Sequence, residues 1–153
     1  MHPEAAPEQD RILLRTLMRA FCWLDDGLQA HMRVQADFSL PRAQSMIMLC
    51  LSEGIQSQAE LASRLQVSKQ AIRQAIRSME AKGIVTIERD PANGRQRLVT
   101  FTERGEAMRD IARTALARLE DELATRIGRD AVESLHTLLN LDWGPTPDAG
   151  ERV

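Results

Sequence analysis

The sequence predicts a mainly α-helical protein with one small β-hairpin, and three observations lead to this fold class. Aromatic residues make up only 3% of the 153 residues and tyrosine is absent, so the core must be aliphatic, which suits helices. Apolar residues recur every three or four positions through most of the chain. Only over residues 84–101 does the period change to two, on either side of an Asn-Gly turn. The length is that of a single domain.

The first two helices are predicted from an apolar repeat and from capping residues. Residues 1–8 read as a loose tail, and a long helix is predicted over about Gln9–Gln35. Its apolar residues alternate at steps of three and four, and such a seam needs a partner surface. The seam consists of Leu14, Leu17, Phe21, Leu24 and Leu28. A second helix is predicted to be capped by Ser39, to hold Pro41 in its first turn and to end before Gly54.

Two short helices joined by a three-residue turn are predicted next. Ser57 and Glu60 have the spacing of a capping box, which opens the first of them. A turn over residues 66–68 leads to the second, which Ser68 caps and Gly83 ends. The second helix has an apolar face made of Ala71, Ile72, Ala75, Ile76 and Met79, and an opposite face made of Lys69, Gln70, Arg73, Gln74 and Arg77.

The rest of the chain is predicted to form the hairpin and two further helices. The strands "IVTIER" and "RLVTF" are joined by a loop that begins with "DPANG". Thr102 is expected to cap a long helix that reaches about Ile127, and Gly128 interrupts it. Asp130 and Glu133 begin a last helix, whose apolar stripe is Leu135, Leu138 and Leu139. Residues 142–153 are predicted to be a disordered tail.

Charge is distributed unevenly along the chain. Residues 68–97 carry seven basic and three acidic side chains, a charge of +4, whereas the net charge is −2 and the remainder is therefore −6. A local basic patch on an acidic body is typical of a site for a polyanion. A merely solvated helix face would normally mix both signs. The pattern therefore favours a binding site over a solvated surface.

Helix, three-residue turn and helix form the helix-turn-helix motif, and the following hairpin predicts its winged form. The second helix of this motif enters the major groove of DNA, where phosphates on both flanks would repel a carboxylate. Arg and Gln side chains hydrogen-bond to guanine and adenine edges. The predicted DNA-binding residues are Ser57, Ser68, Lys69, Gln70, Arg73, Gln74, Arg77, Arg95 and Arg97.

The hairpin loop carries two further expectations. Arg95 at its tip is expected to enter a narrow minor groove, where the negative potential is enhanced, and the alternative is a solvated turn cation. Asp90 and Arg97 stand across the hairpin and are predicted to form a salt bridge that stabilises the wing.

These residues resemble one family. "SLPRAQ" followed by "SQAELASRLQVSKQAIRQAIRSMEAKGIVTIERDPANGRQRLVTFTERG", within residues 39–105, is similar to the MarR family of winged helix-turn-helix transcriptional regulators. The resemblance places the basic and amide face of the second helix on the family's recognition helix and Arg95 at its wing tip. Two positions depart from the family pattern. Gln66 stands where a glycine is usual in the turn, and Asn93 stands where a second wing aspartate is usual.

Dimerisation follows from both the residues and the resemblance. Two recognition helices one DNA turn apart, about 34–36 Å, read a palindrome. The apolar stripes exceed what one small domain buries, and the resemblance implies an intertwined homodimer built from the terminal helices. The alternative is a monomer with a flanking bundle. The predicted interface is Leu14, Leu17, Phe21, Leu24, Leu135, Leu138 and Leu139.

The predicted segments are 1–36 (tail and dimerisation helix), 37–101 (DNA-binding lobe), 102–141 (long helix and C-terminal dimerisation helix) and 142–153 (tail).

The predicted function is that of a sequence-specific regulator of transcription that binds double-stranded DNA, specifically a repressor acting as a homodimer on a pseudopalindromic operator. The alternative from another class is a winged-helix protein-interaction module without DNA binding. The resemblance also implies a response to a small lipophilic or phenolic effector. Its site would be lined by Trp23, Phe38, Met46 and Met48, for which the alternative is ordinary core packing.

A redox-sensing regulator that uses Cys22 is a further alternative, because one branch of the family senses peroxides through a cysteine in its first helix. In that branch tyrosines help to activate the thiol. This chain has no tyrosine, so a structural role for Cys22 is favoured. The histidines (His2, His31 and His136) are scattered, so no metal or other cofactor is predicted. The sequence has no catalytic motif, no apolar run of eighteen residues and no signal peptide. A cytoplasmic protein that is not an enzyme and does not bind membranes is therefore expected.

Overall fold

The computed structural model describes residues 12–147 and has the predicted fold class, mainly helical with a two-stranded antiparallel hairpin. The element order within this range is α1 (Leu13–Ala36), α2 (Arg42–Ser52), α3 (Gln58–Leu65), α4 (Lys69–Ala81), β1 (Val85–Arg89), β2 (Arg97–Phe101), α5 (Glu103–Ile127) and α6 (Arg129–Leu139). The predicted tail over residues 1–8 and the predicted helix start at Gln9 lie outside the described residues, as does the end of the predicted C-terminal tail. Residues 141–147 form neither helix nor strand.

The chain divides into two compact units, Met1–Ala117 and Arg118–Val153. The core of the first unit is aliphatic, as the composition predicted, and joins α2, α3, α4 and the hairpin. Its most deeply buried side chains are Ile47, Leu61, Ile72, Ile76, Met79, Ile84 and Val99. Full burial of a side chain of this size contributes about 1.5–3 kcal/mol. The helix-turn-helix is therefore stabilised mainly by apolar packing beneath it.

The hairpin is anchored to the start of α3. Its register pairs Val85 with Phe101 and Arg89 with Arg97. Leu98 of β2 also forms an isolated bridge with Ser57, and the Val99 amide donates to the Gln56 carbonyl oxygen at 2.9 Å. The wing and the N-terminal end of α3 therefore lie side by side, a contact between segments about forty positions apart in the sequence.

The start of α2 differs from the prediction. Ser39 does not cap this helix, because Pro41 occupies the N-cap position and no side chain accepts a hydrogen bond there. Pro41 has an extended ψ of 145°, so it precedes the first turn rather than lying in it, and its carbonyl oxygen accepts from the Gln44 and Ser45 amides. The preceding Leu40 amide donates to Gln29 Oε1 at 2.7 Å, which holds the connection to α1 in place.

Other predicted caps are confirmed. Ser57 Oγ accepts from the Glu60 amide at 3.3 Å, and Ser68 Oγ accepts from the Ala71 amide at 3.1 Å. Thr102 Oγ1 accepts from the Gly105 amide at 3.0 Å. Each hydroxyl satisfies an N–H group that the helix itself leaves without a partner.

The second unit contains the end of α5 and the whole of α6. Gly128 has a φ of 93°, which breaks the helical path between them as the sequence predicted. Two ion pairs join the two helices within this unit, between Arg129 and Asp121 at 2.8 Å and between His136 and Glu120 at 3.4 Å, the latter when the imidazole is protonated. The exposed apolar residues of this unit include Leu135, Leu138, Leu139, Leu141 and Trp143.

Candidate nucleic-acid interface

The two faces of α4 separate as the sequence predicted, with one exception. Ile72, Ile76 and Met79 are at most 2% exposed and hold the helix on the core. The five basic and amide residues of the opposite face, Lys69, Gln70, Arg73, Gln74 and Arg77, are all exposed. Ala71 was expected on the buried face but is exposed. It lies in the first turn, where the helix projects beyond the underlying core, so the apolar face begins at Ile72.

A groove separates α4 from the wing. Arg73 and Arg77 line it from the helix, and Arg95 and Arg97 line it from the hairpin. The groove is open and has a volume of about 650 Å³. Within residues 12–147 no carboxylate forms an ion pair with any of these four guanidinium groups. Their charges are therefore available to a polyanion.

The third wall of the groove was predicted only in part, since Ser57 alone of its residues was expected to bind DNA. It is the N-terminal end of α3, which contributes Ser57, Gln58 and Ala59, and Gln96 of the wing joins it. The capping box located the helix end but could not show that the bridge to Leu98 brings it beside the wing. Glu80 also lines the groove and is its one acidic side chain among the described residues. It follows the stretch that carries no acid and lies near the C-terminal end of α4, on the same side of the helix as Arg73 and Arg77.

Ser57 and Ser68 have different surroundings although the sequence grouped them as DNA-binding residues. Ser57 is only 7% exposed, and its hydroxyl accepts the Glu60 amide. Ser68 is exposed at the start of α4 while it caps that helix. Of the two, Ser68 has the more accessible side chain.

The wing does not contain the predicted ion pair between Asp90 and Arg97. The register places Arg97 opposite Arg89, and Asp90 lies one position beyond the strand. The Asp90 carboxylate instead accepts from the Ala92 amide at 2.8 Å. Asn93 Oδ1 accepts from the Arg95 amide at 3.3 Å. The side chains of Asp90 and Asn93 therefore stabilise the loop by accepting hydrogen bonds from its own backbone. Arg97, which lines the groove, has no ion-pair partner among the described residues.

The turn of the helix-turn-helix has an unusual backbone at Gln66. This residue caps α3 in the left-handed region, with φ of 53°, which costs side chains other than glycine about 1–2 kcal/mol. Its side-chain Nε2 donates to the Ser63 carbonyl oxygen at 2.9 Å. Gln66 therefore stands at a position whose backbone conformation favours the glycine that is usual there in the MarR family.

A separate cavity of about 490 Å³ lies in the first unit, between α1, α2 and α5. Phe38 and Met48 line it as predicted. Trp23 and Met46, the other two residues of the predicted effector site, do not line this cavity, and they are 36% and 37% exposed. Phe21 and Leu24, which were predicted to lie at a dimer interface, line the cavity as well.

One wall of the cavity is polar. Asp25, Gln29 and Ser45 lie there, and the buried Asp25 carboxylate accepts from Arg42 Nε at 2.9 Å. This hydrogen bond raises the pKa of the Arg42 guanidinium above its ordinary value, although burial opposes the rise. The remaining predicted interface residues of α1 are Leu14, which is exposed, and Leu17, which is half-buried.

The two cysteines differ in burial. Cys50 is buried in the core, and its burial raises the pKa of the thiol. Cys22 is half-buried. Within the described range, no group of three or more His, Cys, Asp or Glu side chains is arranged to hold a metal ion. A membrane-spanning helix would need a longer apolar run than any helix within residues 12–147 contains.

Solved structures of similar fold are transcriptional regulators. The transcriptional repressor CouR bound to a 23-mer DNA duplex is 24% identical, with 90% of this chain and 96% of that chain covered and a TM-score of 0.68. CouR from Rhodococcus jostii bound to p-coumaroyl-CoA is 18% identical, with 88% of this chain and 93% of that chain covered and a TM-score of 0.66. Wild-type MarR in its apo form from E. coli is 22% identical, with 84% of this chain and 94% of that chain covered and a TM-score of 0.65. At these identities the similarity establishes the fold.

A family model matches the sequence of one part of the chain. No curated protein matches the chain. A family model described as the MarR family matches residues 38–96, which run from the connection between α1 and α2 to the wing loop. This stretch includes both helices of the helix-turn-helix, the wing arginine Arg95 and every other groove residue except Arg97. The lobe over residues 38–96 is thus similar in sequence to the MarR family of winged helix-turn-helix transcriptional regulators, and most of the chain has the fold of solved regulators of that kind.

Proposed function

We propose that this chain is a sequence-specific, double-stranded DNA-binding transcriptional repressor. It acts in the cytoplasm as a homodimer on a pseudopalindromic operator and responds to a small lipophilic or phenolic effector. The observation that carries the proposal is the groove between α4 and the wing. Four arginines line it without an ion-pair partner among the described residues, on a chain whose net charge is −2.

DNA contact is proposed through two sets of side chains. On the outer face of α4, Gln70 and Gln74 supply amides that suit adenine, and Arg73 and Arg77 suit guanine or phosphate. On the wing, Arg95 is exposed at the loop tip and suits the narrow minor groove. CouR, which has the same fold, has been solved on a DNA duplex, and this supports the proposal.

A homodimer is proposed because each unit exposes apolar side chains. Leu14 is 77% exposed on α1, and Leu138 is 58% exposed on α6. Single exposed leucines are ordinary, but several on one short helix indicate an interface. A dimer would also present two α4 helices to one duplex. Repression fits this arrangement, since a dimer that covers an operator excludes other proteins from it.

An effector is proposed to bind in the cavity between α1, α2 and α5. Apolar residues with a few convergent polar groups line it, as in most small-molecule sites. Its volume of about 490 Å³ lies within the range of such sites. CouR has been solved with p-coumaroyl-CoA, which supports an effector for this fold.

The rival function is a protein-interaction module without DNA binding. The free basic groove argues against it, because a docking surface for a protein has no need of four unpaired guanidinium groups. The redox alternative needs an accessible, acidic thiol. Cys22 is half-buried, so the rate at which a thiol reagent labels it in the folded protein distinguishes the two readings.

The test is selection of a duplex from a random DNA pool by the purified protein, followed by titration of Kd against salt. A protein that neutralises phosphates gives a log–log slope of about −0.9 for each phosphate neutralised. We expect one palindromic sequence to be enriched and a steep negative slope. Failure to enrich any sequence, or binding that does not depend on salt, would favour the docking module.

A further inference from the structure

Two consecutive residues of α2 connect the cavity to α4. Gln44 and Ser45 are both buried, at 6% and 5% exposure, and both are polar. Neighbouring positions on a helix point about 100° apart, so the two side chains reach different helices. Gln44 reaches α4, and Ser45 reaches α1.

Gln44 holds the C-terminal end of α4. Its Nε2 donates to Ser78 Oγ at 3.0 Å, and its Oε1 accepts from Lys82 Nζ at 3.0 Å. Apolar packing beneath α4 is not directional, so it permits the helix to slide or rotate slightly. Two hydrogen bonds from one buried amide restrict that movement. The Gln44 side chain therefore ties the C-terminal end of α4 to α2.

Ser45 belongs to the polar wall of the cavity. Its Oγ accepts from Gln29 Nε2 at 2.8 Å. Gln29 Nε2 also lies 3.2 Å from Asp25 Oδ1, and Gln29 Oε1 accepts from the Leu40 amide at 2.7 Å. Both polar ends of the Gln29 amide are thus engaged. A cavity ligand that hydrogen-bonds to Gln29 or Ser45 must compete with the bond that ties α1 to α2.

We infer that Gln44 is a positioning residue for the recognition helix α4, and that the Gln29–Ser45 hydrogen bond transmits the state of the cavity wall to it through α2. This inference rests on the proposed DNA-binding function. It assigns the coupling to one helix whose two neighbouring buried side chains bond on one side to the cavity wall and on the other to α4. Occupation of the cavity by a molecule with a polar group would loosen the hold of α2 on α4 and weaken DNA binding.

The α4 side is tested by Gln44→Leu and Gln44→Glu. Leucine has a similar volume but cannot hydrogen-bond, whereas glutamate accepts from both Ser78 and Lys82. For the selected duplex we expect Kd to rise about 5- to 20-fold in Gln44→Leu and to be largely restored in Gln44→Glu. The salt slope should stay as in the wild type, because no phosphate contact is removed. An unchanged Kd in Gln44→Leu, or an equal loss in Gln44→Glu, would overturn the role of Gln44.

The cavity side is tested by Gln29→Leu with Gln35→Leu as its control, since Gln35 is exposed on the same helix. Gln29→Leu should weaken DNA binding several-fold, although residue 29 does not line the groove. Residues that act through one connection are not additive. The double variant Gln29→Leu/Gln44→Leu should therefore bind no more weakly than the weaker of the two single variants. Effects that multiply, or a Gln29→Leu protein that binds like the control, would contradict the connection.

Hydrogen exchange in the free protein separates this inference from the proposed function. Gln29→Leu should accelerate exchange of the amides in residues 78–82 relative to Gln35→Leu, with unchanged exchange in the α5 segment 118–127. Matching urea transitions for the two proteins exclude general destabilisation. If wild type selects no duplex, the DNA-binding proposal fails, and the exchange result alone decides the connection. If DNA binds and residues 78–82 do not respond, the connection is wrong and the function stands.

Discussion

The backbone of Gly105 lies directly against the carbonyl oxygen of Ile84, so that a Cβ atom at position 105 would stand 2.0 Å from that oxygen. The contact occurs where the first turn of α5 crosses the start of the hairpin. Thr102 reinforces the same junction, because its backbone amide donates to the Ile84 carbonyl oxygen at 3.0 Å. The close approach joins the wing to the long helix behind it.

Gly105→Ala is expected to destabilise the protein by about 3 kcal/mol, because the clash is with backbone that cannot rotate away. Urea unfolding at fixed protein concentration measures the loss. Gly94→Ala is the matched control, since nothing lies within 4 Å of a Cβ at position 94, and it should change stability by less than about 0.5 kcal/mol. Similar stabilities for the two variants would mean that the junction is looser than described.

Gln66→Gly is expected to stabilise the protein by about 0.5–1 kcal/mol. Glycine adopts the left-handed conformation of this cap without strain, and this gain exceeds the added freedom of the unfolded chain and the loss of one exposed hydrogen bond. Ser63→Gly, in the regular part of the same helix, should have the opposite sign at about 0.5 kcal/mol. Thermal unfolding of the three proteins checks the signs, and destabilisation by Gln66→Gly would rule out strain at the turn.

Arg73→Ala is expected to weaken binding to the selected duplex by about 1–3 kcal/mol if this side chain reads a base. Arg118→Ala removes the same charge from an exposed site outside the groove, so it reports any long-range electrostatic effect. Titrations with matched and mismatched duplexes measure both the loss and the relaxed specificity. Equal losses in the two variants would show that Arg73 acts only through net charge.

Arg95→Ala is expected to lower the salt slope of DNA binding by about one unit, because one cationic contact in the wing is removed. Its effect should be similar for duplexes that differ in the major-groove sequence read by α4. Kd values at several salt concentrations measure the slope. A slope equal to that of wild type would leave Arg95 as a solvated turn cation.

Leu138→Glu combined with Leu139→Glu is expected to convert a dimer into monomers, because two charges in an apolar interface have no partners there. Sedimentation should give twice the 17.2 kDa chain mass for wild type and the chain mass for the variant. Val67→Glu is the control, since Val67 is also exposed but lies in the turn of the helix-turn-helix. A wild-type protein of 17.2 kDa at micromolar concentration would exclude the dimer.

Cys50 is expected to react with a thiol reagent only as fast as the protein unfolds. Burial raises the pKa of this thiol above its ordinary 9.0, so folding disfavours the reactive thiolate. The stability linked to Cys50 is therefore present below pH 9 and is lost as the pH rises through the raised value. Labelling of a Cys22→Ser protein in the native state and in urea tests this, and fast native labelling would contradict the burial.

The reciprocal variant Cys50→Ser leaves Cys22 as the only thiol. We expect oxidation of this protein with peroxide to leave its affinity for the selected duplex unchanged, as a structural cysteine requires. Rapid labelling of Cys22 together with a loss of DNA binding would instead establish the redox alternative.

Local structure was predictable from the sequence because its causes are local. The two faces of α4 follow from a repeat of three and four positions, the caps at Ser57, Ser68 and Thr102 from hydroxyls placed before helical segments, and the hairpin from a period of two around Asn93-Gly94. The misplaced cap at Ser39 marks the limit of this reasoning, since Leu40 is held by Gln29 from another helix.

The site was only half predictable. The basic face of α4 was evident, but the third wall of the groove depends on the bridge between Ser57 and Leu98. The cavity takes Phe21 and Leu24 in place of Trp23 and Met46, and the ion pair expected across the wing gave way to turn bonds at Asp90. Periodicity shows which face of a helix is buried, but it does not show which neighbour covers that face.

The sequence by itself determined the helices, the hairpin and the basic, acid-free stretch over residues 69–79, because propensity, capping and charge act over a few residues. Tertiary structure alone decided which side chains share the groove, which line the cavity and that Gln44 and Ser45 bond in opposite directions. Those contacts join residues far apart in the chain, and their geometry is set by close packing of the whole first unit rather than by any local pattern.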